Sequence, residues 1–360
     1  MNVVVVGPGP KFLSGISYFT WKLCNTLQAQ PILFRDMLPQ FLFPGKDRVG
    51  IVETVINYDS AREPVYIDWW NPLTWMRSVK VCRNADVVVL QWWTVSVALM
   101  YAFILLFNST KVVVEVHETI DPLESSIFPV RIFSRVMRKL VWGWADHIVV
   151  HSKDDLSLIS DTYKKVSLIP HGVYDQYGRQ ETLKVLDHVF EVLFYGIVRE
   201  YKGVKYLIEG FQKAAIPHSV LYICGEHWDK IEDPHDDNIT MIRGYLDDWW
   251  TEFMFSYASV VVLPYLRASS SGVAHIAMHY GLPIIATNVG GLADLEDYEG
   301  MFYVPPRDSD AIAETLKFVH YNYRNKTFPV PERLQWKGSI KDKWEILFWR
   351  LLNEDVTVST

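Results

Sequence analysis

Short, continuous apolar runs alternate along this chain with longer segments that carry apolar residues on one face. Continuous runs of valine, isoleucine and leucine are typical of parallel strands that helices cover on both faces. The pattern therefore predicts an α/β protein with doubly wound sheets. The predicted strands include Val3–Val6, Ile32–Arg35, Val65–Trp69, Asp86–Gln91, Lys111–Val116, His147–His151, Phe190–Gly196, Ser219–Cys224, Ile239–Arg243 and Val260–Leu263.

One stretch, Val260–Asp294, combines a strand, a polar turn, a helix and a second strand. Pro264 ends the first strand, and the turn Ser269–Gly272 opens the helix. Parallel sheets bind ligands beyond the carboxyl ends of their strands, and a helix N-terminus offers unpaired N–H groups to an anion. The turn is therefore predicted to bind a phosphate group. The apolar positions of the helix follow helical spacing at Val273, Ile276, Ala277 and Tyr280.

The same stretch resembles the sugar-nucleotide signature of family 4 retaining glycosyltransferases. The resemblance lies in the proline-terminated strand, the Ser-Gly turn, Gly281–Thr287 and Val289–Leu292. It implies a GT-B fold, in which two doubly wound, Rossmann-like domains face each other across a cleft. Most members carry two glutamates in this signature, and the matching positions here are Ala268 and Ile276. The chain thus resembles a Ser-Gly-Val variant that lacks the paired glutamates.

Two cations, Arg199 and Lys202, stand between the predicted strand that ends at Gly196 and a predicted helix that begins after Gly203. Fixed cations stabilise the negative charge that grows on a diphosphate leaving group as a sugar–phosphate bond breaks. The resemblance implies the same role, because an arginine and a lysine of this loop hold the donor diphosphate in the family. An ordinary pair of loop charges is the alternative.

The resemblance also implies further donor contacts on both domains. In the first domain, Gly15 matches a family glycine that approaches the diphosphate, although a plain turn explains this loop equally well. The loop is not a dinucleotide fingerprint, because Phe12 stands where a third glycine is needed. The remaining predicted donor contacts are Gly196, Ser271, the amides of Gly272 and Val273, and, at the nucleobase, the turn with Gly244 and Tyr245.

A histidine and a carboxylate, His117 and Glu118, follow the predicted strand Lys111–Val116. A lone histidine at a strand end is more often structural, but strand ends face the ligand in such a sheet. The resemblance implies that His117 lies near the anomeric carbon. Glu118 is a candidate contact for the acceptor, whereas Asp121 and Glu124 of the same loop are more simply solvated.

The segment Phe128–Ala145 predicts an amphipathic helix. Helical spacing places apolar residues on one face and basic residues on the other. A basic face with a tryptophan suits an anionic membrane surface, and an ordinary solvated helix is an equal alternative. The predicted apolar face is Phe133, Val136, Leu140 and Trp144. The predicted basic face is Arg131, Arg135, Arg138 and Trp142.

Length and composition indicate two domains of ordinary size, since the chain has 360 residues of which 49% are apolar. We predict a first domain over residues 1–180, with a polar linker after Val173, and a second over residues 181–335. Residues 336–360 hold a helix with Trp344, Leu347, Phe348 and Leu351 on one face, which in GT-B proteins returns to the first domain. The aromatic segment Trp69–Trp75 reads as an irregular loop.

Charge and motifs narrow the function further. A formal net charge of −7 argues against a nucleic-acid partner. The three cysteines, which are far apart, suit buried thiols and a cytoplasmic location. The polar insertion that contains Asp229 has no metal-ligand spacing, so its charged residues are predicted to be solvated. The 16-residue apolar run Trp92–Phe107 is shorter than the roughly 20 residues of a spanning helix, which favours a helix against the sheet.

The sequence therefore predicts a retaining glycosyltransferase that uses no cofactor and no metal. It would move a hexose from a nucleotide-diphosphate sugar to a glycan or lipid-linked acceptor at the cytosolic face of a membrane. Two alternatives are a sugar-nucleotide epimerase on the same fold and a catalytically inactive protein that binds sugar nucleotides.

Overall fold

The computed structural model describes residues 1–11, 14–36, 54–119, 128–178 and 189–353. The chain divides into two units. Unit 1 comprises residues 1–171 and 336–360, and unit 2 comprises residues 172–335. The predicted domain boundary at residue 180 lies outside the described residues, as do Asp121 and Glu124.

Unit 1 is built on a seven-stranded sheet whose pairings are all parallel. Its strands are β1 (Val3–Pro8), β2 (Gln30–Asp36), β3 (Val65–Asp68), β4 (Val87–Trp92), β5 (Lys111–Val116), β6 (His147–Val150) and β7 (Val166–Leu168). They lie in the order β3-β2-β1-β4-β5-β6-β7, so the strand order reverses between β1 and β4. The predicted doubly wound sheet is confirmed.

Unit 2 contains a six-stranded parallel sheet. Its strands are β8 (Phe190–Tyr195), β9 (Ser219–Gly225), β10 (Ile239–Arg243), β11 (Val260–Leu263), β12 (Ile284–Thr287) and β13 (Met301–Val304). Their order is β10-β9-β8-β11-β12-β13, with the reversal between β8 and β11. Ligands of such sheets bind at this reversal, beyond the carboxyl ends of the strands.

The helices cover both sheets. In chain order they are α1 (Gly15–Leu27), α2 (Pro72–Cys82), α3 (Ala98–Phe107), α4 (Phe128–Trp144) and α5 (Lys153–Ser160) in unit 1, α6 (Val204–Ala214), α7 (Asp248–Tyr257), α8 (Gly272–His279) and α9 (Ser309–Tyr323) in unit 2, and α10 (Lys341–Asn353) in unit 1. The returning helix is confirmed: Trp344 and Phe348 of α10 share a buried core with Phe19 and Leu23 of α1. The other face of the unit 1 sheet packs against α2, α3, α4 and α5.

The helix α4 occupies the predicted segment, but its buried face is not the predicted one. Trp142 is buried, edge-on to Trp92 with ring centroids 5.9 Å apart, and Arg138 donates a hydrogen bond to the Thr119 carbonyl oxygen at 2.7 Å. Val136 and Trp144, predicted to be buried, are more than half exposed. Apolar residues surround most of this helix, so spacing alone cannot select the side that packs. The predicted placement of Trp142 on the basic face is therefore wrong, whereas Arg131 and Arg135 of that face are exposed.

One predicted loop is wrong. The helix α2 begins at Pro72, inside the segment predicted to be irregular, because the Asn71 side chain accepts a hydrogen bond from the Leu73 amide at 3.1 Å and proline suits the first helical position. The predicted linker after Val173 has no helix or strand through residue 178, but Tyr174 and Tyr177 within it are buried. Tyrosine rings in a polar segment still carry enough apolar surface to pack.

The apolar run Trp92–Phe107 is divided between elements: Trp92 ends β4, and only Ala98–Phe107 is α-helical. Tyr101 and Ile104 of α3 are buried in the core, so the prediction of a helix against the sheet is confirmed. Across the described ranges, no helix has both the length and the apolar character needed to cross a membrane. The three cysteines, Cys24, Cys82 and Cys224, are buried and form no disulfide.

Candidate functional site

The turn after β8 lies against the loop after β11, at the reversal of the unit 2 sheet. Gly203 closes this turn with a left-handed backbone, and a Cβ at Gly203 would lie 1.9 Å from the Pro264 carbonyl oxygen. The Leu266 amide donates a hydrogen bond of 2.7 Å to the Tyr201 carbonyl oxygen. Only glycine permits this approach, which holds the two predicted phosphate-binding loops together.

Three cations surround the Tyr201 ring in this region. Arg199, Lys202 and Arg267 lie 5.7, 5.5 and 5.2 Å from its centroid. The Lys202 ammonium also lies 3.6 Å from the centroid of the fully buried Tyr265 ring. Sequence reasoning missed Arg267, although a third basic residue three positions after Pro264 was a usable signal.

Asp229 fixes the start of the same turn. Its carboxylate accepts a hydrogen bond from the Glu200 amide at 2.8 Å and lies 3.9 Å from the Arg199 Nε. The Arg199 guanidinium also lies over the Trp228 ring at 5.5 Å. The prediction that Asp229 is merely solvated is therefore wrong, because the insertion folds back onto the β8 turn.

The N-terminus of α8 forms the neighbouring part of the site. Ser271 caps the helix, its Oγ accepting a hydrogen bond from the Ala274 amide at 3.4 Å. A Cβ at Gly272 would lie 3.0 Å from the Tyr174 ring, so a side chain at this position would require the buried tyrosine to shift. A Cβ at Gly196 would lie 3.6 Å from the Val273 side chain. The structure thus places Gly196 next to Val273 at the start of α8.

The other predicted donor contacts lie at strand ends. In unit 2 the Gly244 amide, after β10, donates to the Gly225 carbonyl oxygen at 3.2 Å, and Tyr245 follows it. In unit 1 Gly15 is the first residue of α1. The positions of the missing glutamates have no replacement acid: Ala268 offers its carbonyl oxygen to the Gly291 amide at 3.1 Å, and Ile276 is buried.

In unit 1, three histidines follow three adjacent strands. His117, His151 and His171 come after β5, β6 and β7, and their ring centroids lie 4.8, 5.4 and 4.4 Å from that of Phe19. Sequence reasoning found only His117, although histidines at three successive strand ends are visible in the chain. Glu118, the predicted acceptor contact, follows His117 and is half-buried.

Glu115 lies fully buried beneath these rings. Its carboxylate oxygens lie 3.5 Å from the His117 Nε2 and 3.4 Å from the His151 Nε2, and it accepts a hydrogen bond from Gln91 at 2.9 Å. Thr20 in turn donates to Gln91 at 2.5 Å. This buried chain of polar groups connects α1, β4 and β5 to the histidines.

The charges of this cluster follow from its burial. Burial opposes ionisation of Glu115, but the adjacent His117 and His151 and the hydrogen bond from Gln91 outweigh it and lower the pKa of the carboxyl. Burial, and then the charge of His117, lower the pKa of His151 to about 4 against the pull of Glu115. At neutral pH we therefore expect an ionised Glu115 beside a neutral His151, whose Nδ1 lies 2.8 Å from the Ile169 carbonyl oxygen.

Glu115, His117 and His151 also offer one ligand atom each within 4.8 Å of one another, and the described residues contain no other such group of three. The predicted absence of a metal stays a prediction.

We expect the replacement Gly203→Ala to destabilise unit 2 by about 2 kcal/mol or more, because the new methyl group would displace the Pro264 carbonyl and the φ of +67° disfavours alanine. Gly143→Ala in α4 is the matched control, since its Cβ would meet nothing within 4 Å; there we expect no loss and a gain of up to about 1 kcal/mol. Thermal unfolding measures both. Equal effects of the two variants would contradict the close approach at Gly203.

Comparison with known proteins agrees with this architecture. Residues 190–321 match the family Glycosyl transferases group 1. An uncharacterized glycosyltransferase of Methanocaldococcus jannaschii is 25% identical over 178 residues, which cover 45% of this chain and 46% of that protein. Sucrose-phosphate synthase from Thermosynechococcus elongatus has a TM-score of 0.64 at 16% identity, covering 99% of this chain and 98% of that one. Anabaena HepE in complex with UDP-glucose has a TM-score of 0.63 at 13% identity, covering 100% and 99%.

The chain has the GT-B fold. Its two parallel, doubly wound sheets and returning C-terminal helix are those of this fold, and the likeness to these structures extends over the whole chain. The family match lies within unit 2. The match to the archaeal relative spans less than half of that protein's length.

Proposed function

We propose that this protein is a retaining glycosyltransferase that transfers a hexose from a nucleotide-diphosphate sugar without a metal ion. The observation that carries the proposal is the contact between the turn that holds Arg199 and Lys202 and the loop that leads from β11 to α8, at the reversal of the unit 2 sheet. The HepE neighbour, which binds UDP-glucose, supports a uridine-type donor. The match of residues 190–321 to the family Glycosyl transferases group 1 supports glycosyl transfer.

In the proposed reaction, the bond between the anomeric carbon and the distal phosphate oxygen breaks, and the nucleoside diphosphate leaves with the electron pair. Arg199, Lys202 and the Gly272 and Val273 amides stabilise the charge on the departing diphosphate. An acceptor hydroxyl forms the new bond on the same face of the sugar and gives its proton to the departing phosphate oxygen. No covalent glycosyl-enzyme is required by this route.

Unit 1 supplies the acceptor-side groups in this proposal. His117 donates a hydrogen bond to a sugar or acceptor hydroxyl, and Glu118 contacts the acceptor. Glu115 acts through His117: its buried carboxylate orients the ring and favours one tautomer, as a positioning residue does. The acceptor would be a glycan or a lipid-linked glycan at the cytosolic membrane face.

A screen of purified protein against nucleotide sugars tests the proposal. A true donor should raise the melting temperature, because a ligand at 100 times its Kd stabilises the protein by about 2.7 kcal/mol. The stabilising donor, radiolabelled, is then incubated with a membrane lipid extract. Label that enters lipid or glycan supports transfer. Conversion of the sugar without an acceptor would indicate an epimerase, and binding without turnover would indicate an inactive binding protein, as the apolar Ala268 and Ile276 positions allow.

A further inference from the structure

Three neighbouring helices of unit 1, α2, α3 and α4, cover one face of its sheet. The helix α3 lies between the other two, and Trp75 of α2 packs edge-on against Phe103 of α3 with ring centroids 5.6 Å apart. Each helix buries one side on the sheet. Their outward sides together form a continuous surface, here called the α2–α4 face.

This face exposes many large apolar side chains. Leu73 of α2, Leu106 of α3 and Val136 of α4 are 73%, 63% and 57% exposed. Other exposed apolar residues of the face are Trp70, Met76, Leu99, Phe107, Phe128, Ile132, Phe133 and Trp144. The exposed stripe of the central helix carries no charged residue at all. Soluble monomers rarely expose apolar patches of this extent, and such patches mark interaction sites.

The charge of the same three helices is of one sign. They contain no aspartate or glutamate, although the whole chain has a net charge of −7. The exposed cations lie on the two outer helices and follow the spacing of one helical turn: Arg77 and Lys80 on α2, and Arg131, Arg135 and Lys139 on α4. On α4 this basic ridge runs directly beside the apolar ridge Phe128, Ile132 and Val136.

We propose that the α2–α4 face binds the headgroup region of a bilayer that contains anionic lipids. An apolar centre with a cationic border fits this surface, because apolar side chains enter the acyl boundary while arginine and lysine contact the lipid phosphates. A second copy of the chain fits less well, since a twofold contact would bring these cations together. The proposal does not depend on glycosyl transfer. Its membrane contacts are exposed residues of the α2–α4 face, and Trp142 and Arg138 of the predicted basic face are not among them.

Flotation of the full-length protein with vesicles tests this proposal. We expect binding to vesicles of phosphatidylcholine with about one-third phosphatidylglycerol, and binding at least about tenfold weaker to pure phosphatidylcholine, with a decrease as salt rises. The variant R131E/R135E/K139E removes the basic ridge, and L99E/L106E removes the apolar centre. Each should weaken binding by about tenfold or more. The matched control I346E/W349E changes two exposed apolar residues of α10, on the opposite face of the unit 1 sheet, and should bind as the unmodified protein does.

Thermal unfolding of each variant shows whether it is folded before its binding is compared. Equal binding to neutral and anionic vesicles, or equal weakening by the α10 control, would overturn the proposal. The proposal would also be overturned if the unmodified protein failed to bind vesicles and instead formed a concentration-dependent dimer in sedimentation experiments. In that case the α2–α4 face variants would abolish the dimer. Selective loss of binding in the two α2–α4 face variants would support it.

Discussion

The double variant Arg199→Ala and Lys202→Ala is expected to lower kcat/KM for the donor by about a thousandfold or more. Removing one preorganised group that stabilises developing charge typically costs about 10² to 10³ in rate. The two side chains share one turn, so their effects need not multiply. Because they act on charge that grows as the bond breaks, kcat should fall more than donor affinity does. Initial rates over a range of donor concentrations separate the two.

The control for this variant is Lys205→Ala, an exposed lysine on α6 two residues beyond the turn. Its removal lowers the net positive charge of the region without touching the predicted diphosphate contacts, so kcat should change by less than about twofold. Arg267→Ala tests the third cation and should give an intermediate loss if this side chain also faces the diphosphate. Normal turnover by the double variant would remove the basis of the proposed function.

The parallel sheets could be predicted from the sequence because their physics is local. A strand covered on both faces is apolar at nearly every position, and the runs Val3–Val6, Val87–Leu90 and Val260–Leu263 meet that condition. The Ser271–Gly272 turn was predictable for a similar reason, since serine caps and glycine turns have their own backbone preferences. The start of α2 also had a local signal, the Asn-Pro pair, that was outweighed by the aromatic residues around it.

Side-chain partners depend instead on register and packing, which sequence spacing does not contain. Glu115 meets Gln91 because β4 and β5 pair with these two residues side by side. It meets His151 because β6 is the next strand in the sheet. The side of α4 that packs on the sheet was likewise unpredictable. Trp142 packs edge-on against Trp92, and this contact exists only once the strands are in place.

The stability of unit 1 is expected to fall as pH decreases from about 6.5, the ordinary pKa of histidine, toward the value of about 4 that burial imposes on His151. The sign follows from proton uptake: in this window the unfolded chain protonates His151 while the folded chain does not, so acid favours unfolding. At about 1.4 kcal/mol per pH unit, the loss is about 2 kcal/mol by pH 5. The pKa of Glu115 is lowered from 4.5, so its contribution is retained above that pH and does not change between pH 6.5 and pH 5.

Hydrogen–deuterium exchange of peptides from β5 and β6 between pH 7.5 and 5 measures this loss of stability within unit 1. The rates are corrected for the intrinsic pH dependence of exchange, and the buffer contains EDTA. The variant His151→Asn provides the comparison, because its amide nitrogen can keep the hydrogen bond to the Ile169 carbonyl oxygen without titrating. The stability of this variant should be lower at every pH but nearly constant across the range. The comparison therefore uses the slope of stability against pH in each protein, rather than the absolute stabilities. Parallel slopes for the two proteins would show that folding does not change the pKa of His151. The expected pair of an ionised Glu115 and a neutral, buried His151 would then have to be withdrawn.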